Sequence, residues 1–283
     1  MRRSDPGSLG DGQSSLPSDP GSWPDAQSGV GGCCGCSCVK KITPEDIRQH
    51  KLTGKWRLLE RFSDATNRQA EKAAKAPLRP VLGGGTRLML AIEHRLSDDV
   101  DLFITDPQWI GYLTPRLNDA IEEKVKSYHE GTTSLKLELA EGEIDYIVST
   151  PLLGLPNESS PESVYELEPV AEVLAKKLFY RGGTLTPRDL FDWRMIEMHI
   201  PQEDLHLEKM AYVLRDKLAG IAQALDAIGQ LDPSHPRWSS IRTPYPLDLR
   251  ETVHWAQERV AHYQAMAESY TEPSQNSDSS PSP

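Results

Sequence analysis

Val81-Leu82-Gly83-Gly84-Gly85-Thr86, closed by Ser97-Asp98-Asp99-Val100-Asp101-Leu102-Phe103, decides how this chain reads. Its order is a short apolar run, a glycine turn, a helical run from Arg87 to Arg95, and a strand with two alternate carboxylates. Residues two apart on a strand share a face, so Asp99 and Asp101 stand side by side while Val100 and Leu102 face a core. Asp98 is out of phase and belongs to the turn before the strand. Two adjacent carboxylates repel, a cost tolerated mainly where a cation neutralises them. Mg2+, which takes one or two carboxylates and leaves its other positions to phosphates and water, suits such a pair. Gly84, Gly85 and Thr86 precede a helix, so their backbone N–H groups and the helix dipole favour a phosphate. A phosphate cradle beside a metal-binding pair is the layout of a phosphoryl- or nucleotidyl-transfer site.

Upstream, residues 1–39 are Gly, Ser, Pro and Asp with scarcely any large apolar side chain, and are expected to be a disordered tail. An upstream start assigned too early would account for this composition as well. All four cysteines fall in Cys33-Cys34-Gly35-Cys36-Ser37-Cys38, so the expected folded body has no disulfide framework, which fits a reducing cytoplasm. Thiolates bind soft ions, but these four are more crowded than the separated pairs of a zinc site. Thr43-Pro44-Glu45-Asp46 predicts a capped helix start, and a second helix is expected over about Lys55–Lys75 with Trp56, Leu59 and Phe62 inward.

Downstream, Pro107–Tyr128 reads as a helix. Thr133–Ala140 (TSLKLELA) alternates as a half-buried strand, and Gly142 turns it into Ile144–Val148 as a hairpin. Pro151–Ser163 is a Pro/Ser/Asn loop, expected as a linker over 151–164. A helix then runs from Glu168-Pro169 to about Arg181, and Thr186-Pro187-Arg188-Asp189 opens another. Long amphipathic helices are expected over Glu203–Leu231 and Asp248–Tyr270, with a disordered tail over 271–283. The class is α+β: a small mixed sheet flanked by helices in a lobe over 40–150, and a mostly helical lobe over 165–270.

The Gly-Gly-Thr turn with His94-Arg95-Leu96-Ser97-Asp98-Asp99-Val100-Asp101-Leu102-Phe103 resembles the first motif of the AbiEii/AbiGii nucleotidyltransferase-like toxins, within the polymerase-beta-like nucleotidyltransferase superfamily. Residues 170–193 (VAEVLAKKLFYRGGTLTPRDLFDW) are similar to the family's helical Lys-Leu, Arg and Arg-Asp-x-x-Asp block, and the resemblance covers roughly residues 75–200. It implies a nucleotidyltransferase-like fold and a Mg2+-dependent transfer of a nucleoside monophosphate from an NTP to an acceptor hydroxyl. Asp99 and Asp101 would hold the ion. Asp145, from the neighbouring strand, would be the third carboxylate, helping to bind a second ion or accepting the acceptor's proton; otherwise it is a strand Asp bonded to a turn. Lys177 matches the Lys-Leu step and would reach the triphosphate, where without the motif Lys176 and Lys177 are a solvated helix face. Ser97 would steady the turn into the carboxylate strand. Asp189 and Asp192 share a helix face, where one would orient Lys177 or Arg181 or touch the nucleotide, or Asp189 would only complement the helix dipole.

The resemblance also implies the toxin of a type IV toxin–antitoxin or abortive-infection system, with a cognate antitoxin and a tRNA or protein acceptor. The net charge of −11 opposes bulk DNA binding but leaves room for a local basic patch. No apolar run is long enough to span a bilayer. An EF-hand would need further spaced oxygen ligands, and a Walker loop a Gly-Lys-Ser/Thr step, and both are missing. The remaining rival is a non-catalytic nucleotide- or partner-binding protein of the same fold.

Overall fold

Local signals set the first elements. In the computed structural model, which describes residues 41–270, Thr43 caps α1 (Pro44–Thr53) through a reciprocal box with Asp46. The cysteine cluster and both tails lie outside the described residues. α2 (Trp56–Ala74) follows and ends on Lys75 in the left-handed region. Then come β1 (Val81–Leu82), α3 (Gly84–Ile92) and β2 (Val100–Ile104). The segment expected as one helix over 107–128 is instead α4 (Trp109–Leu113), a short 3-10 turn, α5 (Asp119–Glu122) and the start of β3 (Ser127–Glu130). Pro115 explains the break: Thr114 before it is extended at φ −69°, ψ 136°, as the proline ring demands.

β4 (Ser134–Glu138) and β5 (Glu143–Val148) form the expected hairpin. β6 (Glu166–Leu167) comes from beyond the Pro/Ser loop and pairs in parallel with β1. The six strands run β3-β4-β5-β2-β1-β6, with β2 parallel to β5 and antiparallel to β1. α6 (Val170–Lys176) continues into a π-helical turn over Lys177–Arg181, and α7 (Pro187–His199) starts at the Thr186 capping box. α8 (Leu207–Leu214) and α9 (Leu218–Gly229) replace the single helix expected there, because His206 is left-handed and a turn over 215–217 separates them. α10 (Pro236–Ser239) and α11 (Leu249–Ser269) complete the chain.

The strands alternate as a sheet with one packed face requires. Val100, Leu102, Leu135, Leu137, Ile144 and Tyr146 are buried against α2, and the Tyr146 hydroxyl donates to Asn67 Oδ1 at 2.9 Å. A second apolar cluster joins α6, α7, α8, α9 and α11 around Leu174, Trp193, Leu214, Leu225 and Tyr263. α3 serves both: Leu88 and Ile92 enter the helical cluster, Met89 and Leu90 the sheet cluster. This double packing fixes where its glycine-rich N-terminus points. Among the described residues no helix is long and apolar enough to cross a membrane.

Candidate active site

The unpacked face of the sheet forms one wall of a cavity of about 720 Å³, completed by the start of α3, by α6 and by the start of α7. Asp101 and Phe103 of β2, Asp145 and Ile147 of β5, and Lys136 of β4 all reach it by strand alternation. Although the chain as a whole is acidic, seven basic and six acidic side chains line this space, so its charges nearly balance.

The glycine turn is bound to the carboxylate strand. Gly83 N–H donates to the Asp101 carbonyl at 2.9 Å. Gly84 has φ +62°, and a Cβ there would lie 1.7 Å from Asp101 Oδ2. A Cβ at Gly85 would meet Arg95 Nη2 and Ser97 Oγ, each at 2.8 Å. Glycine is therefore required at Gly84 by contact and by dihedral, while a side chain at Gly85 would have to push Arg95 and Ser97 aside. Thr86 is fully buried and does not line the cavity; its hydroxyl donates to the Asp99 carbonyl at 2.5 Å, tying the helix to the acidic turn.

Asp99 stands one residue before β2, and its Oδ1 accepts the Glu143 N–H at 3.3 Å. Burial raises its pKa, opposed by that hydrogen bond and reinforced by Asp101. Asp101 and Asp145 are direct register partners on the parallel pair β2–β5. Burial, with the Asp101 charge next in weight, pushes the Asp145 carboxyl up to about 6. Lys136 lies opposite Asp145 across the hairpin, with its Nζ 2.7 Å from Glu143 Oε2 and 3.6 Å from Asp145 Oδ2. Asp98 points away from this group, pairing with His50 at 3.0 Å and Arg242 at 2.5 Å; the His50 hydrogen bond first, then Arg242, holds its carboxyl down to about 2.

Across the cavity, Lys177 Nζ sits between Asp189 Oδ1 at 3.0 Å and Asp192 Oδ2 at 3.1 Å. Burial works against its charge, but Asp192 and Asp189 outweigh burial and raise its pKa. Asp189 also accepts from Thr186 and from Arg181 at 3.2 Å, so it is cap and counter-ion together. Asp192 is fully buried and outside the cavity, where it cannot touch a nucleotide. It anchors Arg95 through bonds of 2.7 and 2.9 Å and contacts His94 Nε2 at 2.9 Å. Ser97 lines the cavity, with its N–H directed at Met89 Sδ and its carbonyl facing His50.

The structure thus brings Gly84, Gly85, Ser97, Asp99, Asp101, Asp145, Lys177 and Asp189 to one cavity, and leaves Thr86 and Asp192 behind its wall. Sequence reasoning gave no role to Arg95, Lys136 or the buried Glu168–Lys176 pair, whose oxygen and nitrogen lie 2.5 Å apart. The alternation in TSLKLELA does place Lys136 on the polar face, which was the available signal for it. Glu168 and Lys176 meet only because β6 returns to the sheet.

Among the described residues no three His, Cys, Asp or Glu side chains are gathered tightly enough to hold an ion unaided. The donor set nonetheless fits Mg2+. Hard oxygens from adjacent strands face one glycine turn, and burial first, with the Asp101 charge adding to it, raises the Asp99 and Asp145 carboxyls.

A family model described as nucleotidyl transferase AbiEii toxin, type IV TA system, matches residues 68–277. A crystal structure of a candidate nucleotidyltransferase from H. pylori is similar at 16% identity and a TM-score of 0.41, covering 76% of this chain and 99% of that one. JHP933 from Helicobacter pylori is similar at 16% identity and a TM-score of 0.39, over 75% of this chain and 93% of that one. No curated protein matches the chain.

Proposed function

The chain belongs to the AbiEii family of nucleotidyl transferase toxins, and on that premise we propose that its cavity transfers a nucleoside monophosphate from an NTP to an acceptor hydroxyl with Mg2+ held by Asp99, Asp101 and Asp145. The observation that carries this reading is the contact between the glycine turn and Asp101, with Asp145 in register beside it. When bound, the metal would offset phosphate charge and stabilise the entering and leaving oxygens of an in-line displacement.

The chain's own groups have separable tasks. Backbone N–H groups at the start of α3 would bind a phosphate, and the missing side chains of Gly84 and Gly85 let Asp101, Arg95 and Ser97 close against that turn. Lys177, held in place by Asp189 and Asp192, presents a fixed positive charge at the wall. Arg95 is fixed in turn by Asp192 and lies against Gly85. Asp145, in register beside Asp101, would either complete the metal site or accept the proton of the acceptor hydroxyl. The family description further supports action as the toxin of a type IV toxin–antitoxin pair, and we propose an RNA end or a protein as its acceptor.

Calorimetry with each of the four NTPs tests the site. Binding should be at least about tenfold tighter with Mg2+ than without, because the triphosphate otherwise meets the acidic trio unscreened. Gly85→Leu should weaken it by crowding Arg95 and Ser97. Metal-independent binding, or binding of no NTP, would favour a partner-binding protein of the same fold.

A further inference from the structure

Lys136 is the one cationic side chain, among the described residues, within ion-pair distance of Asp99, Asp101 or Asp145. The β4–β5 register sets it directly opposite Asp145, and its ammonium bridges Asp145 and Glu143. Asp145 is also the register partner of Asp101, the residue that touches the glycine turn. Lys136 and Asp101 therefore flank Asp145 from its two neighbouring strands, on the one sheet face that lines the cavity. Its side chain is 40% exposed and carries a flexible four-carbon stem, so it has space to leave.

We propose that Lys136 is a resident counter-ion of the acidic cluster, which neutralises Asp145 and Glu143 in the empty cavity and is displaced when a divalent cation loads. This rests on the metal reading of the same cavity and adds a positioning residue that sets how readily the metal enters. An ammonium and a divalent ion compete for one set of oxygens: removing the ammonium leaves the carboxylates repelling each other more strongly and raises their affinity for the ion. An ordinary cross-strand ion pair would show no such exchange, and its loss would change stability alone.

The test measures Mn2+ binding to the full-length protein without nucleotide, from the electron paramagnetic resonance signal of the free ion, and involves no activity assay. Lys136→Met should bind Mn2+ about three- to fivefold more tightly than wild type, the upper part of the range expected on removing partly exposed ion pairs. Lys136→Arg keeps the charge and should stay within about twofold of wild type. Adding Asp101→Asn to Lys136→Met should abolish the tight site. Lys136→Gln, neutral and polar, replaces the methionine variant if far-ultraviolet circular dichroism shows that variant to be misfolded. An Asp101-dependent site in wild type that Lys136→Met and Lys136→Gln leave unchanged or weaken would overturn the proposal, as would equal tightening by Lys136→Arg. Absence of any Asp101-dependent Mn2+ site in every chain would overturn the metal reading itself, and this inference with it.

Discussion

Gly84 is where backbone and chemistry come closest. With φ at +62° and Asp101 Oδ2 1.7 Å from any Cβ, Gly84→Ala must displace the carboxylate and adopt a strained backbone. A displacement of about 1 Å at a reacting group costs about a hundredfold in rate, and a transfer assay should show a loss of that order. Asp145 supplies a pH prediction. Its folded-state carboxyl titrates at about 6 against an ordinary 3.8, so the fold favours the neutral acid. That contribution is complete below pH 3.8 and lost as pH rises through about 6. In metal-free buffer, Asp145→Asn should therefore be more stable than wild type near pH 7.5, by on the order of 1 kcal/mol after allowance for its partly screened ion pair, and lose that advantage near pH 4. Urea unfolding at the two pH values checks it. Asp99, Asp101 and the two glycines were legible in the sequence because strand alternation and a turn preceding a helix are local patterns. The burial of Thr86 and Asp192 was not, since it depends on what packs over them.

At the scale of elements, the start of α7 does two jobs. Thr186 and Asp189 cap the helix reciprocally, while Asp189 pairs with Lys177 and Arg181. Thr186→Ala should cost about 1 kcal/mol in urea unfolding, with a smaller loss of transfer than Asp101→Asn because Lys177 keeps both carboxylates. Asp192→Asn is the harsher change: it leaves Arg95 and Lys177 short of a buried counter-charge and should cost about 3–5 kcal/mol, measured in the same way. Helix caps at Thr43, Thr186 and Asp248 could be read from the sequence because every participant lies within a few residues. β6 could not. It has two residues, and its pairing with β1 joins segments on either side of the whole β2–β5 region. The break at Pro115 was visible in principle, since the residue before a proline avoids the helical region.

Over the whole molecule, two apolar clusters share α3, and the cavity opens where the unpacked sheet face meets α6 and α7. The mixed sheet and helical C-terminal part followed from periodicity and from the resemblance; the route by which the sheet recruits a strand from beyond the loop did not. Family membership makes the chain a nucleotidyltransferase, and induced expression should slow growth through Asp101. Arrest by wild type and Asp101→Asn alike would mean toxicity by binding. The most direct test of the central claim uses NTPs labelled at the α- or the γ-phosphate, incubated with Mg2+, the protein, and either total cellular RNA or total cellular protein. The α-label should become bound to the acceptor and the γ-label should not, with incorporation abolished by Asp101→Asn in a variant that remains folded. Transfer of the γ-label, or full α-label transfer by Asp101→Asn, would contradict it.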